Sequence, residues 1–199
     1  AYIAGGTIIL SSLVAMQQDN LKARLAYSTI SQLSYIVLGA ALANAHGILG
    51  AGLHIAMHAF GKITLFFCAG AIMVALHKTE ISDMRGIGRQ MPFTMAAFII
   101  GSLSIIGVPP MGGSWSKWYL ALGAADTTHL ILVGILMLSS LLNIAYLLPI
   151  PARAFFSSAT NEDGHHGDGL HEAPLFCLIP LCLTALGCVL LFFFTDPIY

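Results

Sequence analysis

Between Leu25 and Leu76 the chain carries a single formal charge, Lys62. The hydrocarbon core of a bilayer is about 30 Å thick and is crossed by a helix of roughly 20 apolar residues, so this stretch is long enough to cross twice. A helix satisfies its own backbone hydrogen bonds away from water, which such a segment requires. The remainder agrees, for 57% of the 199 residues are hydrophobic and 9% are charged, against about 25% charged in an ordinary soluble domain. The expected fold is all-α, a polytopic transmembrane helical bundle. A formal net charge of −1 says nothing about nucleic acid or a steered anionic partner, and no nucleic acid is expected among the partners.

About six spans are expected. Ala1 to Met16 is uncharged and slightly short; Leu25 to Leu53 supplies a second span closing near "ANAHG"; Ile48 to Leu76 makes a third. Phe93 opens a fourth, which "GVPPMGG" at 107–113 interrupts before apolar sequence resumes from Trp115 to Ala125. Proline removes an amide donor and glycine permits non-helical backbone. Gly107, Pro109, Pro110, Gly112 and Gly113 are therefore read as the break in one discontinuous span. Thr127 to Phe156 and Ala173 to Thr195 complete the set, with a polar loop at 157–172 between them. The chain opens on Ala1 inside an apolar run, without the charged start of a signal peptide, and is expected to be part of a longer polypeptide.

Six spans sort the loops onto two sides. Lys22, Arg24, Lys78, Arg85, Arg89 and Arg153 all fall on one of them, while the segments near His46, near Asp126 and after Asp196 hold no Lys or Arg. Cytoplasmic loops carry the excess of basic residues. The basic loops are expected to be cytoplasmic and both ends of the chain outside, in the inner (plasma) membrane.

Lys62 does not fit that sorting. It lies 14 residues from each end of the Ile48 to Leu76 run, about 21 Å along a helix, too far for its side chain to reach water. An ammonium at the bilayer centre costs roughly 3 kcal/mol on insertion scales; such residues face a bundle interior and mark ion or proton routes. Pairing with a carboxylate purely for packing is the plainer alternative. His54, His58 and Lys62 recur every four residues and share one helix face. Buried histidine and lysine can both take and release protons near neutral pH, so the three are candidates for a proton pathway. Histidines at i and i+4 also suit zinc, but no acidic or cysteine ligand stands beside them and no metal is expected.

Lys117 follows the break in "GVPPMGGSWSKWYL". Irregular backbone at membrane depth is tolerated where protein or a water-filled cavity satisfies it, and broken helices commonly form transporter ion sites. The alternative is an interfacial anchor made of Trp115, Lys117 and Trp118. Ser28, Thr29, Ser31 and Gln32 place hydroxyls and an amide in the second span, where they can bond across helices; Lys22, Ser28, Thr29 and Ser31 are expected to support the pathway. His165, His166 and His171 with Glu162, Asp163, Asp168 and Glu172 are read as a solvated loop. Cys68, Cys177, Cys182 and Cys188 sit in apolar runs and are read as small buried or lipid-facing residues. No phosphate loop, nucleophile elbow or redox cysteine pair is present, so the chain offers proton-handling groups without bond-breaking apparatus, and no cofactor is expected.

Three stretches, "LAYSTISQLSYIVLGA", "HIAMHAFGKITLFFCAG" and "GVPPMGGSWSKWYL", together resemble the proton-translocating antiporter domain shared by Mrp-type cation/proton antiporters and the large membrane subunits of complex I. The resemblance implies about fourteen helices in two inverted repeats, each with a broken helix, of which residues 1–199 look like the C-terminal part. It implies that His54, His58 and Lys62 lie on a central hydrophilic axis and Lys117 at a terminal proton site. The pattern departs at "QDNLKARLAY", where Asn20 stands in the place of an acid. Within the family, "SWSKW" and "LLNIAYLLPIPARAFF" resemble the D subunit of Mrp assemblies. The implied function is that of a membrane subunit exchanging protons for sodium or another monovalent cation, with other membrane subunits and lipid as partners. The alternatives are a proton-pumping subunit of a complex I-like or hydrogenase-linked assembly, and a structural subunit that has lost transport.

Overall fold

Two of the helices begin on an asparagine cap and one resumes after a glycine–proline break. A computed structural model describes residues 1–157 and 170–195, which contain eight α-helices. The first, α1 (Tyr2–Gln17), ends in polar sequence, and α2 (Leu21–Leu42) starts on Asn20, whose side-chain oxygen accepts the Ala23 N–H at 3.1 Å. Ala43 then turns the chain at φ +53°, and Asn44 caps α3 (Ala45–Leu76) by accepting the Gly47 N–H at 2.7 Å. Asparagine leads among residues that satisfy the orphan amides of a helix start. These caps move two expected boundaries. Lys22 and Arg24 belong to the first turn of α2 rather than to a loop, and the third span starts at Ala45 rather than Ile48.

The break is where it was expected. Helix α4 (Pro92–Ile106) stops one residue before Gly107, and α5 (Gly113–Asp126) resumes at the last glycine of the motif. Helix α6 (Leu130–Leu147) passes through Leu148 into α7 (Pro149–Phe156), and α8 (Leu175–Phe193) follows. Among the described residues, four stretches are long and apolar enough to cross a membrane: Leu21–Leu42, Ala45–Leu76, Leu130–Phe156 and Leu175–Phe193. With short α1 and the α4–α5 pair they make six crossings. Of the polar loop at 157–172, residues 158–169 lie outside the described residues, including Glu162, Asp163, His165, His166 and Asp168; so does the segment from Asp196 onward.

The described loops sort to two ends. At one, Leu21 N–H donates to Thr79 O at 3.0 Å, Ile81 N–H to Asp19 O at 2.9 Å, and His171 N–H to Gln90 O at 2.9 Å. Lys22, Arg24, Lys78, Arg85, Arg89 and Arg153 gather there. At the other, Asn44 donates to Gly123 O at 2.7 Å, and His46 meets Asp126 at 2.5 Å.

Helix α3 is the centre of the bundle, with α2, α4, α5 and α8 packed around it. Its approach to α5 is close: a Cβ on Gly50 would fall 2.7 Å from Leu120 N, and one on Gly123 would fall 2.6 Å from Gly47 N. Small residues let helix backbones meet in a membrane, where lipid is as apolar as the side chains it replaces. That contact holds the second half of the broken span against the first half of α3. Two of the cysteines, Cys68 and Cys188, are buried and the other two are exposed.

Candidate functional site

The four-residue spacing on α3 puts His54, His58 and Lys62 inside the bundle, where they are 3%, 8% and 5% exposed. Lys62 Nζ donates to Ser28 Oγ at 2.6 Å and to Leu25 O at 3.1 Å, both on α2. Both partners are uncharged oxygens, and the ion pair His46–Asp126 lies instead at the exposed end of the bundle. The packing alternative thus finds no carboxylate for Lys62 among these partners.

Lys117 is placed by the break itself. Gly107 takes φ +86° and ends α4, so the last carbonyls of that helix lack intrahelical donors and form the negative end of its dipole. Lys117 Nζ donates to one of them, Ile106 O, at 2.9 Å, and to Ser140 Oγ of α6 at 3.1 Å. It also lies 5.2 Å from the centre of the Tyr35 ring, within cation–π range. Trp115 and Trp118 point outward, and Trp115 Nε1 donates to Phe192 O at 3.1 Å. Lys117 therefore turns away from the tryptophans, which the anchor alternative groups with it. The geometry at the break admits no side chain at Gly113, where a Cβ would stand 1.9 Å from Ser104 O. Gly112 N–H, left free by the break, donates to Cys188 O of α8 at 3.0 Å.

Tyr35 joins the two lysine sites. Its ring stacks on His54 at 5.2 Å between centroids, and His54 stacks on His58 at 5.7 Å. His54 Nδ1 is 2.9 Å from Ser116 Oγ on α5. A line of polar groups thus runs from Lys117 through Tyr35, His54 and His58 to Lys62. Stacked rings present faces and not N–H groups to one another, so direct transfer of a proton from ring to ring is geometrically excluded and any transfer would need a hydroxyl or water at the ring edge. His58 Nδ1 and both amide atoms of Gln32 are buried without a protein partner, the kind of polar edge an internal water bonds to.

The supporting residues divide. Ser28 meets Lys62 directly, and Thr29 Oγ1 donates to the same Leu25 carbonyl at 2.8 Å. Ser31 faces α1 instead, donating to Ile8 O at 3.0 Å and lying 2.9 Å from Ser12 Oγ. Lys22 is exposed at the basic end, with Nζ 3.1 Å from Met73 Sδ. Asn20 serves as the cap of α2 and donates to Glu80 Oε1 at 3.0 Å. Glu172, grouped in sequence with the His-rich loop, caps α4: its Oε1 accepts Phe93 N–H at 2.7 Å and its Oε2 accepts Thr94 Oγ1 at 2.6 Å. The residues that sequence reasoning passed over are Tyr35, Ser116, Ser140, Asn143 and Tyr146. The last three had a signal, because they interrupt the apolar run of α6 at intervals of three.

A six-crossing helical bundle with one broken span and a buried lysine–histidine line defines an antiporter-like membrane domain. The chain belongs to the family described as NADH:quinone oxidoreductase/Mrp antiporter, TM, whose profile matches residues 1–143. It is 35% identical over 205 residues to NADH-quinone oxidoreductase subunit N of Desulforudis audaxviator, a match covering 99% of this chain and 41% of that protein. The chain thus spans about two fifths of that relative. A chain of the membrane-bound sulfane sulfur reductase, an archaeal respiratory membrane complex, superposes with a TM-score of 0.86 at 28% identity, covering 96% of this chain and 31% of that one. A chain of the Mrp complex from Dietzia sp. superposes with a TM-score of 0.87 over 98% of this chain and 44% of that one. At 21% identity this last likeness shows the fold alone.

Proposed function

We propose that the chain is the C-terminal part of an antiporter-like membrane subunit and carries protons between Lys117 and Lys62, parallel to the membrane. The observation that supports this most is the pair of inward-turned lysines, Lys62 buried and Lys117 partly buried, each hydrogen-bonded to a hydroxyl and a carbonyl and joined by Tyr35, His54 and His58. An ammonium held by neutral oxygens has no fixed counter-charge to prevent it from giving up its proton. Lys117 alternates between charged and neutral as the break opens to one side, and its charge biases the neighbouring groups electrostatically. Other membrane subunits supply the remaining path, in the inner membrane, with the basic end cytoplasmic and both ends of this chain outside.

In the finer reading the driving exchange is with sodium or another monovalent cation, as the "SWSKW" resemblance to Mrp assemblies implies. The 35% identity to an NADH-quinone oxidoreductase subunit favours a second reading, in which a redox reaction elsewhere in the complex drives the same proton path. Inverted vesicles carrying the intact complex discriminate between them. Sodium-driven pH change, absent in Lys62→Ala at matched expression, supports the first; pH change driven by NADH and independent of sodium supports the second. Undiminished proton movement in Lys62→Ala under both conditions would sink the pathway itself.

A further inference from the structure

Helix α6 supplies polar groups to both lysines and belongs to neither end of the histidine line. Ser140 accepts from Lys117, and six residues further along, about 9 Å of helix, the Tyr146 hydroxyl lies 2.8 Å from Ser28 Oγ, the oxygen that also accepts from Lys62 at 2.6 Å. Tyr146 is 1% exposed, and its hydroxyl is within hydrogen-bond reach of a second acceptor, Asn143 Oδ1. Asn143 Nδ2 is buried without a protein partner. One hydroxyl proton therefore faces two acceptors.

We infer that Tyr146 is a positioning residue which, with Ser28 and Asn143, forms a hydrogen-bond switch whose direction follows the proton on Lys62. The inference rests on the reading of Lys62 as a proton site. A hydroxyl donates one hydrogen bond and accepts up to two, which fixes the two states. With Lys62 an ammonium, Nζ donates to Ser28 Oγ, Ser28 donates to Tyr146 Oη, and Tyr146 donates to Asn143 Oδ1. Once Lys62 has passed its proton on, its lone pair accepts from Ser28, Tyr146 donates to Ser28, and Asn143 Oδ1 loses its donor. Two O–H bonds turn over and no covalent bond changes. The amide of Asn143 does not relay a proton; it ends the chain and rewards one direction. Arg24 Nη1 donates to Tyr146 O at 3.1 Å and holds that turn of α6 to the basic end, so the reorientation occurs against a fixed backbone.

The titratable and charged side chains of the elements around Lys62 include His54 and His58 of α3, Lys22, Arg24, Tyr27 and Tyr35 of α2, Lys117 and Tyr119 of α5 and Tyr146 of α6, of which His58 shares its helix face and Tyr146 reaches it through Ser28; α4 and α8, which also pack on α3, bring no charged side chain. The test compares proton transport in inverted vesicles containing the intact complex with wild type, Tyr146→Phe, Ser28→Ala, the double variant and Lys62→Ala. Tyr146→Phe keeps the ring and is expected to slow transport about tenfold, the scale of one hydrogen bond, and to move the pH of half-maximal rate. Ser28→Ala is expected to do the same, and the double variant to be no slower than the worse single one, because both cut a single chain. A wild-type rate in Tyr146→Phe, or a slower rate with an unmoved pH profile, overturns the switch. Should Tyr146→Phe fail to accumulate, Ser28→Ala decides on the same two readouts. Transport lost in Lys62→Ala but normal in Tyr146→Phe overturns the switch alone, whereas normal transport in Lys62→Ala overturns the proton-pathway reading beneath it.

Discussion

Helix α3 and the α4–α5 pair each carry a lysine into the middle of the bundle, and they do so in opposite ways. Helix α3 runs unbroken for 32 residues, so its own carbonyls are spent on intrahelical bonds. Lys62 must be met from a neighbouring helix, by Ser28 and the already bonded Leu25 carbonyl. The α4–α5 span stops at Ile106, and the stop itself exposes the carbonyl that Lys117 takes. The comparison teaches that a buried ammonium can be stabilised by side-chain oxygens on a partner or by interrupting the backbone. A site made by interruption depends on the few residues that permit it. A site made by a partner depends on packing spread over two helices.

The largest expected effect follows from that dependence. Gly113→Ala forces a Cβ to within 1.9 Å of Ser104 O, a contact no rotamer relieves, so the cost is expected to exceed about 4 kcal/mol and the folded protein to fail to accumulate. Size-exclusion of the detergent-extracted complex checks this; a monodisperse peak at wild-type yield would show that the break adapts. Next in size is Lys117→Arg. A guanidinium stays protonated, so transport is expected to fall roughly a hundredfold, and Lys117→Met to fall equally. Full activity in the arginine variant would mean that charge at the break matters and proton exchange there does not.

Two smaller predictions sharpen the contrast at the helix starts and in the helix interior. Glu172→Gln keeps the shape but removes the charge that caps α4, and is expected to cost about 1 kcal/mol, seen as a thermal midpoint lower by a few degrees. An unchanged midpoint would assign the stability of α4 to packing alone. The smallest effect is expected for Gly70→Ala in unbroken α3, where nothing lies within 4 Å of the added methyl and alanine is the better helix former by up to about 1 kcal/mol. Unfolding monitored by intrinsic fluorescence should show no loss, and a clear destabilisation would place an unseen neighbour on that face.

Much of the architecture was legible because it depends on local sequence. Charge-free runs mark spans, the glycine and proline cluster at 107–113 marks the break, and four-residue spacing marks the α3 face. The boundaries that moved, at Leu21 and Ala45, did so because Asn20 and Asn44 are caps, a cue present in the sequence and outweighed by the run of apolar residues. Glu172 was read with its loop neighbours, since nothing near it in sequence predicts that it reaches the start of α4, 78 residues away from Thr94.

The sequence by itself determined six crossings, one interrupted span, the gathering of the basic residues at one end and the shared face of His54, His58 and Lys62. All of these follow from composition or from helical period, which act over a few residues. Only the tertiary structure decided that Lys117 turns inward to Ile106 and Ser140, that Tyr35 stacks between the lysine and the histidines, and that Tyr146 meets Ser28 across 118 residues of chain. A polar residue in an apolar helix announces that it needs a partner. Which partner it finds is set by how helices distant in sequence rotate and approach when they pack.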